Sequence, residues 1–121
     1  MALNKILIVD DSPTHLSALK DAVSGSGAKI LSACSGNEAV ALTKAERPDL
    51  IFMDIIMDDM DGYNACRDIT RNEETKDIPI IFVSTKNQRA DHMWAEKQGA
   101  RKLISKPFSK EQIVEQINLY R

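Results

Sequence analysis

Polar side chains of the types found in catalytic and metal sites stand at or just after the ends of four short apolar runs of this sequence. They are carboxylates, hydroxyls and one cation: Asp10, Asp11, Asp54, Ser84, Thr85 and Lys106. In an open α/β sheet the functional crevice lies at the carboxyl ends of the strands. If the apolar runs are neighbouring strands, these side chains converge at one edge of the sheet.

The carboxylates and the lysine predict magnesium-dependent chemistry. Three carboxylates at one place repel one another unless a cation compensates their charge. Oxygen ligands without a cluster of histidines or cysteines favour Mg²⁺. A lysine and a hydroxyl at the same point would stabilise charge on a phosphoryl group during in-line transfer to a carboxylate nucleophile. The chemistry we expect is therefore phosphoryl transfer to an aspartate.

Five apolar runs have the length of β-strands. They are mostly continuous rather than alternating and are rich in Ile, Val and Leu, which is typical of strands buried on both faces of a parallel sheet. The runs are Ile6–Val9, Ile30–Ala33, Leu50–Met53, Ile78–Val83 and Leu103–Ile104. We expect helices to cover both faces of this sheet.

Helix start and stop signals occupy the intervals between the strands. Three starts carry a capping serine, the first being Ser12 before Pro13. The other two, Ser35 with Glu38 and Ser109 with Gln112, fit the capping box, in which the two side chains accept each other's backbone N–H. The predicted helices are Pro13–Ser24, a second from Ser35 to Arg47, Asp61–Arg71, Gln88–Gln98, and a fifth after Ser109. The (βα)₅ order predicts a doubly wound parallel sheet, either flavodoxin-like with strand order 2-1-3-4-5 or Rossmann-like. We adopt the flavodoxin-like order and expect residues 1–121 to form a single domain without an effector domain.

Composition and charge argue against several other classes of protein. The 121 residues are 43% hydrophobic and 28% charged with a formal net charge of -2, which fits one folded domain. Without a basic run, nucleic acid is not an expected partner. The amino terminus resembles neither a signal peptide nor a membrane span, so we expect a cytoplasmic protein without membrane insertion. Cys34 and Cys66 lack CxxC spacing and are interpreted as reduced packing residues.

Four motifs occur in order at the spacings of one known family. They are Ile6-Leu-Ile-Val-Asp-Asp-Ser12, Asp49-Leu-Ile-Phe-Met-Asp54 continuing to Met57 and Asp61-Gly62, Ile78-Pro-Ile-Ile-Phe-Val-Ser84, and Lys106-Pro-Phe108. Over its whole length the chain resembles the receiver domain of two-component response regulators. Within that family it is most similar to stand-alone receivers of type IV pilus twitching-motility systems, through Val83-Ser-Thr-Lys86 and through Trp94 followed by Gln98-Gly-Ala100.

The resemblance implies roles for the carboxylates. Asp54 would accept a phosphoryl group from the phosphohistidine of a histidine kinase or from a small donor such as acetyl phosphate. Asp11, Asp54 and the backbone carbonyl of Ile56 would ligate Mg²⁺. Asp10 would hold the ion through water.

The resemblance also implies which residues stabilise and report the phosphoryl group. Ser84 would move towards it, Lys106 would pair with it, and a cis peptide bond would precede Pro107. Leu103 occupies the position where many receivers carry an aromatic residue whose rotation reports phosphorylation. Leu103 and Trp94 are interpreted as parts of a candidate output surface.

Three further positions set expectations for the phosphoryl lifetime and for one loop. Ile56 and Lys86 stand where the family tunes attack of water on the acyl phosphate. A branched apolar side chain at Ile56 cannot orient water, so we expect slow self-dephosphorylation unless Lys86 or a phosphatase compensates. Asp58 replaces the proline of most receivers and is followed by Asp59, so we expect a looser and more acidic loop.

The functional prediction is a single-domain response regulator that signals by binding proteins and is not an enzyme. Its expected partners are a histidine kinase and a downstream protein target or phosphatase, and we expect a monomer. A phosphate sink for a shared kinase and a phosphorylation-independent adaptor are the alternatives. A magnesium-dependent phosphatase resembling haloacid dehalogenase-like enzymes would need Asp-x-Asp after the first strand, where this chain has Asp10-Asp11. A nucleotide or flavin module would need a glycine- or hydroxyl-rich phosphate loop there.

Two histidines and one helix face are interpreted as structural. His15 and His92 lie on predicted helices away from other ligand types, so we expect both to face solvent. Met93 and Trp94 stand at core spacing from Ala90, which predicts at least partial packing of both side chains.

Overall fold

The sheet consists of five parallel strands in the order β2-β1-β3-β4-β5. It is seen in a computed structural model that describes residues 3–121. The strands are β1 (Lys5–Val9), β2 (Lys29–Ala33), β3 (Leu50–Met53), β4 (Ile80–Ser84) and β5 (Lys102–Ser105). The predicted flavodoxin-like order is confirmed, and the Rossmann-like alternative is wrong.

Strand β4 begins two residues later than predicted. Pro79 has no N–H for a sheet hydrogen bond. The N–H of Ile78 donates instead to the carbonyl of Thr75 at 3.1 Å, in the turn that precedes the strand. The strand therefore starts at Ile80, and it extends one residue beyond the predicted end, through Ser84. Ser84 is therefore the last residue of strand β4 and not the first residue after it.

Five helices cover both faces of the sheet, as predicted. They are α1 (Pro13–Val23), α2 (Gly36–Glu46), α3 (Gly62–Arg71), α4 (Arg89–Lys97) and α5 (Lys110–Leu119). Helices α1 and α5 pack on one face, through side chains such as Leu19 and Ile113. Helices α2, α3 and α4 pack on the other, through Ala39, Ile69 and Ala95. Within residues 3–121, none of the helices is both long and apolar enough to span a membrane.

Capping side chains mark the starts of four helices, namely α1, α2, α3 and α5. At α5 the predicted capping box is present, with the Ser109 and Gln112 side chains each accepting a backbone N–H of the other residue. At α2 the Ser35 hydroxyl accepts the N–H of Glu38 at 3.1 Å. In a capping box the Glu38 carboxylate would accept the N–H of Ser35. It accepts the N–H of Cys34 instead, at 2.6 Å, which is one residue earlier in the chain.

Two packing predictions are wrong and two are confirmed. Cys66 is buried as predicted, but Cys34 is exposed because it follows the last residue of edge strand β2. Met93 is 61% exposed, while Trp94, at 47%, is partly packed as predicted. The residue of α4 that faces the sheet is Ala95, so the buried stripe of this helix is narrower than its sequence suggests.

Candidate functional site

Two buried carboxylates leave adjacent strands at the same level. Asp10 follows β1 and Asp54 follows β3, and the preceding residues Val9 and Met53 are paired in the sheet. Asp10 is 0% exposed, and its Oδ1 accepts the N–H of Ser12 at 2.9 Å. Because β1 and β3 are central neighbours, their strand ends bring these carboxylates to one crevice, as the sequence predicts.

The Asp54 carboxylate is oriented by the backbone that follows it. Its Oδ1 accepts the N–H groups of Ile55 at 2.7 Å and of Ile56 at 3.3 Å. Gly62 allows this turn to be tight, because a Cβ on Gly62 would collide with the carbonyl oxygen of Asp54. The first residue of α3 therefore packs directly against the backbone of the acidic residue.

Lys106 lies between the two buried carboxylates. Its Nζ is 2.7 Å from Asp10 Oδ2 and 2.9 Å from Asp54 Oδ2, and its side chain is only 7% exposed. The Lys106-Pro107 peptide bond is cis, as predicted. One ammonium cannot neutralise two carboxylates, so this buried cluster keeps a negative charge.

His15 is a member of this cluster, which the sequence reasoning missed. Its Nδ1 lies 2.8 Å from Lys106 Nζ and 3.9 Å from Asp10 Oδ2. The prediction that His15 is remote from other ligand types is therefore wrong, although its side chain is 48% exposed. The available signal was its position in the first turn of α1, because helical side chains tilt towards the N-terminus and so towards the preceding strand end. His92 is exposed, as predicted.

Asp11 stands apart from the buried cluster. Within residues 3–121, the side-chain ligand atoms that converge within 4.8 Å of one another belong to Asp10, His15 and Asp54. Asp11 is exposed, and its Oδ2 accepts the N–H of Asp58 at 3.3 Å. Asp11 thus faces the loop that follows Asp54, the segment that also carries the Ile56 carbonyl.

The loop between β3 and α3 is anchored, contrary to the prediction that it is loose. Asp59 accepts the N–H of Gly36 at 3.0 Å and that of Asn37 at 2.9 Å, at the N-terminus of α2. The hydrogen bond from Asn37 lowers the pKa of Asp59 and outweighs the opposing effect of burial. Gly36 is required because a Cβ there would collide with the backbone of Met60. Asp59 therefore caps a neighbouring helix and fixes the loop beside Asp54.

Ser84 and Lys86 connect the site to helix α4. Ser84 is 0% exposed, and its hydroxyl accepts the N–H of Lys86 at 3.2 Å. Lys86 Nζ is 3.2 Å from Asp91 Oδ1, which in turn accepts the hydroxyl of Tyr63 at 3.2 Å. Although partial burial opposes it, the contact with Lys86 lowers the pKa of Asp91. Burial and the Asp91 carboxylate raise the pKa of Tyr63 to about 12.

The two predicted output residues differ in exposure. Leu103 is only 5% exposed and packs in the core, so its assignment to the surface is wrong: strand β5 turns this side chain towards the helices. Trp94 lies on the surface and meets the ring of Tyr63 edge-on, with 6.4 Å between ring centroids. Tyr63 makes the same kind of contact with Phe82 of β4 at 5.6 Å. These three rings connect the core of the sheet to the surface of α4.

The chemistry of the donor set fits a hard divalent cation. Asp10, Asp11 and Asp54 supply carboxylate oxygens, and backbone carbonyls follow Asp54. Three carboxylates against the single ammonium of Lys106 leave two negative charges, which equals the charge that Mg²⁺ would bring.

Comparison with known proteins identifies the family. The model of the response regulator receiver domain matches residues 6–118. Protein PilH of Pseudomonas aeruginosa is 42% identical to this chain over 114 residues, which cover 94% of either protein. Protein PilG of the same species is 32% identical over 110 residues, covering 91% of this chain and 82% of PilG.

A solved structure of similar fold holds a metal ion. The receiver domain of the sensor histidine kinase PA1611 from Pseudomonas aeruginosa PAO1 has a magnesium ion coordinated in its active site cleft. It matches with a TM-score of 0.88 and 25% identity, covering 97% of this chain and 96% of that one. The chain belongs to the response regulator receiver domain family.

Proposed function

We propose that this chain is a single-domain response regulator whose Asp54 accepts a phosphoryl group in a magnesium-dependent reaction. The observation that carries the proposal is the ammonium of Lys106 between Asp10 and Asp54, at 2.7 and 2.9 Å from their Oδ2 atoms. The donor is the phosphohistidine of a histidine kinase. The chain assists its own phosphorylation and dephosphorylation and is not an enzyme acting on a separate substrate.

The surroundings of Asp54 suit it for in-line attack on phosphorus. Backbone N–H groups of Ile55 and Ile56 hold Oδ1, and Lys106 holds Oδ2, so the carboxylate plane is fixed before the donor arrives. Attack forms an oxygen–phosphorus bond to Asp54 and breaks the bond between phosphorus and the donor. The Lys106 ammonium stabilises the charge on the transferred group. The buried Ser84 hydroxyl accepts the backbone N–H of Lys86 and keeps its own hydrogen, which it can donate to a phosphoryl oxygen.

Mg²⁺ is the cofactor that the carboxylates of this proposal require. Asp11, Asp54 and the carbonyl of Ile56 would ligate it, and Asp10 would hold it through water. When bound, it neutralises charge between the acceptor and the phosphoryl group. Asp10 also positions Lys106, because its Oδ2 lies 2.7 Å from the Lys106 ammonium.

The fate of the phosphoryl group depends on residues at the mouth of the site. Ile56 is 54% exposed, so an apolar surface faces the solvent from which a hydrolytic water must come. We infer slow self-dephosphorylation, with Lys86 held in its ion pair with Asp91. Exposed Trp94, connected through Tyr63, is the part of α4 that we infer contacts a protein partner.

We place the protein in a type IV pilus or chemotaxis-like pathway on its similarity to PilH and PilG. In such a pathway a cytoplasmic, monomeric receiver passes its signal by binding a downstream target or a phosphatase.

Intact mass spectrometry after incubation with Mg²⁺ and acetyl phosphate tests the proposed function. We expect one phosphoryl adduct in the native chain and none in Asp54→Asn. Asp68→Asn is the matched control, because Asp68 is an exposed aspartate on α3. An adduct that persists in Asp54→Asn, or an adduct that forms equally well in chelator, would contradict the proposal.

A further inference from the structure

The ammonium of Lys106 is coordinated by three side chains rather than two. Its Nζ lies 2.7 Å from Asp10 Oδ2, 2.9 Å from Asp54 Oδ2 and 2.8 Å from His15 Nδ1. An ammonium has three donors and no acceptor, so each of its hydrogens can point at one of these atoms. The Asp10, His15 and Asp54 atoms that converge like a metal-binding set thus surround the charge of Lys106.

The three acceptors of this ammonium are not equivalent. The side chains of Asp10 and Asp54 are 0% and 9% exposed and carry charge, whereas that of His15 is 48% exposed. Since an ammonium can only donate, a hydrogen bond between the two groups has His15 Nδ1 as its acceptor. Hydrogen bonds to a carboxylate are stronger than those to a neutral acceptor. Of the three acceptors, His15 is therefore the one whose hydrogen bond with Lys106 costs the least free energy to replace by a bond to another acceptor.

His15 also stands on the open side of the cluster. It lies in the first turn of α1, where its backbone N–H is fixed by the Ser12 hydroxyl at 3.3 Å. His15 and Lys106 both line an open cavity of about 360 Å³, together with Thr85 and Phe108. The hydrogen that Lys106 donates to His15 thus lies on the side of the cluster that is open to solvent.

We propose that His15 is a positioning residue for Lys106. Its imidazole accepts the third hydrogen bond of the ammonium until an oxygen of the phosphoryl group on Asp54 takes over as the acceptor. This proposal rests on the proposed function of Asp54 as the phosphoacceptor. His15 exchanges only a hydrogen bond: the bond that forms joins an Asp54 oxygen to phosphorus, the bond that breaks joins phosphorus to the donor, and His15 gains or loses no proton.

Two substitutions distinguish the effect of the hydrogen-bond acceptor of His15 from the effect of its ring. In His15→Asn the amide oxygen takes the approximate position of Nδ1, whereas His15→Phe keeps a ring of similar size without an acceptor. Both retain the backbone N–H that Ser12 caps. We expect His15→Phe to lower the rate constant of adduct formation with acetyl phosphate and Mg²⁺ by about three- to tenfold. His15→Asn should restore most of that loss.

The order of the variants decides the proposal. If His15→Phe behaves like the native chain and His15→Asn is slow, the ring acts by shielding the site and the positioning role is overturned. Equal rates in all three proteins overturn it as well. His92→Phe, at an exposed position of α4, controls for the general effect of replacing a histidine. Urea unfolding of each variant establishes that the compared proteins are folded.

Hydrogen exchange of the Lys106 ammonium gives a readout that does not depend on phosphorylation. In ¹⁵N-edited NMR, an ammonium held by three acceptors exchanges its hydrogens with water slowly. We expect fast exchange in His15→Phe and slow exchange in the native chain and in His15→Asn. If this pattern is found but no protein accepts a phosphoryl group, the proposed function fails while the positioning of Lys106 stands. If phosphorylation occurs but the Lys106 exchange rate is the same in all variants, the positioning role fails alone.

Discussion

Replacing Lys106 with methionine should destabilise the protein when Mg²⁺ is absent. The substitution keeps an unbranched side chain of similar length, so the packing around residue 106 changes little. It removes the ammonium that lies 2.7 Å from Asp10 and 2.9 Å from Asp54. Two carboxylates then face each other in a site where the Asp10 side chain is 0% and the Asp54 side chain 9% exposed.

The magnitude follows from the burial of this pair. Removing one partner of a buried ion pair costs about 3 to 5 kcal/mol. The crevice is open at its His15 side, so water relaxes part of the charge and the lower end of the range applies. We therefore expect the free energy of unfolding of Lys106→Met to fall by about 3 kcal/mol. A cation that binds only the folded chain at about ten times its dissociation constant returns about 1.4 kcal/mol.

Urea unfolding followed by far-ultraviolet circular dichroism measures both effects. Chelator-treated protein is compared with protein in saturating Mg²⁺, for the native chain, Lys106→Met and Lys102→Met. Lys102 is the matched control, because it is an exposed lysine on β5, the strand that ends one residue before Lys106. A loss below about 1 kcal/mol for Lys106→Met in chelator would refute the role of this ammonium in compensating the carboxylates.

Three other predictions concern residues around the site and in the core. Replacing exposed Ile56 with asparagine, which can hydrogen-bond water, should shorten the lifetime of the phosphorylated protein on the order of tenfold; an unchanged decay of the adduct after donor removal would contradict this. Gly62→Ala should lower the free energy of unfolding by about 1 to 3 kcal/mol, because the new Cβ meets the backbone of the acceptor aspartate. Gly25→Ala is its control, since a Cβ there meets nothing within 4 Å. At pH 8 a disulfide reagent should modify exposed Cys34 alone, because burial raises the pKa of Cys66 to about 12; the thiolate is the reactive form, so Cys66 should react only as the pH approaches 12 or the chain unfolds. Rapid modification of both thiols in the folded protein would show that Cys66 is accessible.

The strand-end carboxylates could be predicted from the sequence because the geometry of a parallel sheet determines their meeting. Continuous apolar runs identify the strands, and the carboxyl ends of neighbouring strands share one edge. The pairing of Val9 with Met53 then brings Asp10 and Asp54 together. Lys106 lies 52 residues from Asp54 along the chain, yet its place after the fifth apolar run predicted that it reaches the same edge of the sheet.

The parts that the sequence could not predict depend on how elements are rotated or placed in space. A histidine in the exposed first turn of α1 is typical of a solvent-facing residue, and only the rotation of that helix brings His15 to Lys106. The two aspartates of the β3–α3 loop resemble a solvated acidic segment. Asp59 becomes an anchor because the N-terminus of α2 lies beside this loop. Similarly, Ala95 rather than Met93 faces the sheet, which the helical spacing alone did not decide.

In the proposed function, Asp54 carries the phosphoryl group. Borohydride reduction of the phosphorylated chain converts an aspartyl phosphate to homoserine, and peptide mass mapping then locates the reduced residue. We predict homoserine at position 54 alone, formed only when the protein has been treated with both Mg²⁺ and donor. Reduction at Asp10 or Asp11, or a phosphate adduct on a residue that borohydride leaves unchanged, would contradict the assignment of Asp54 as the phosphoacceptor.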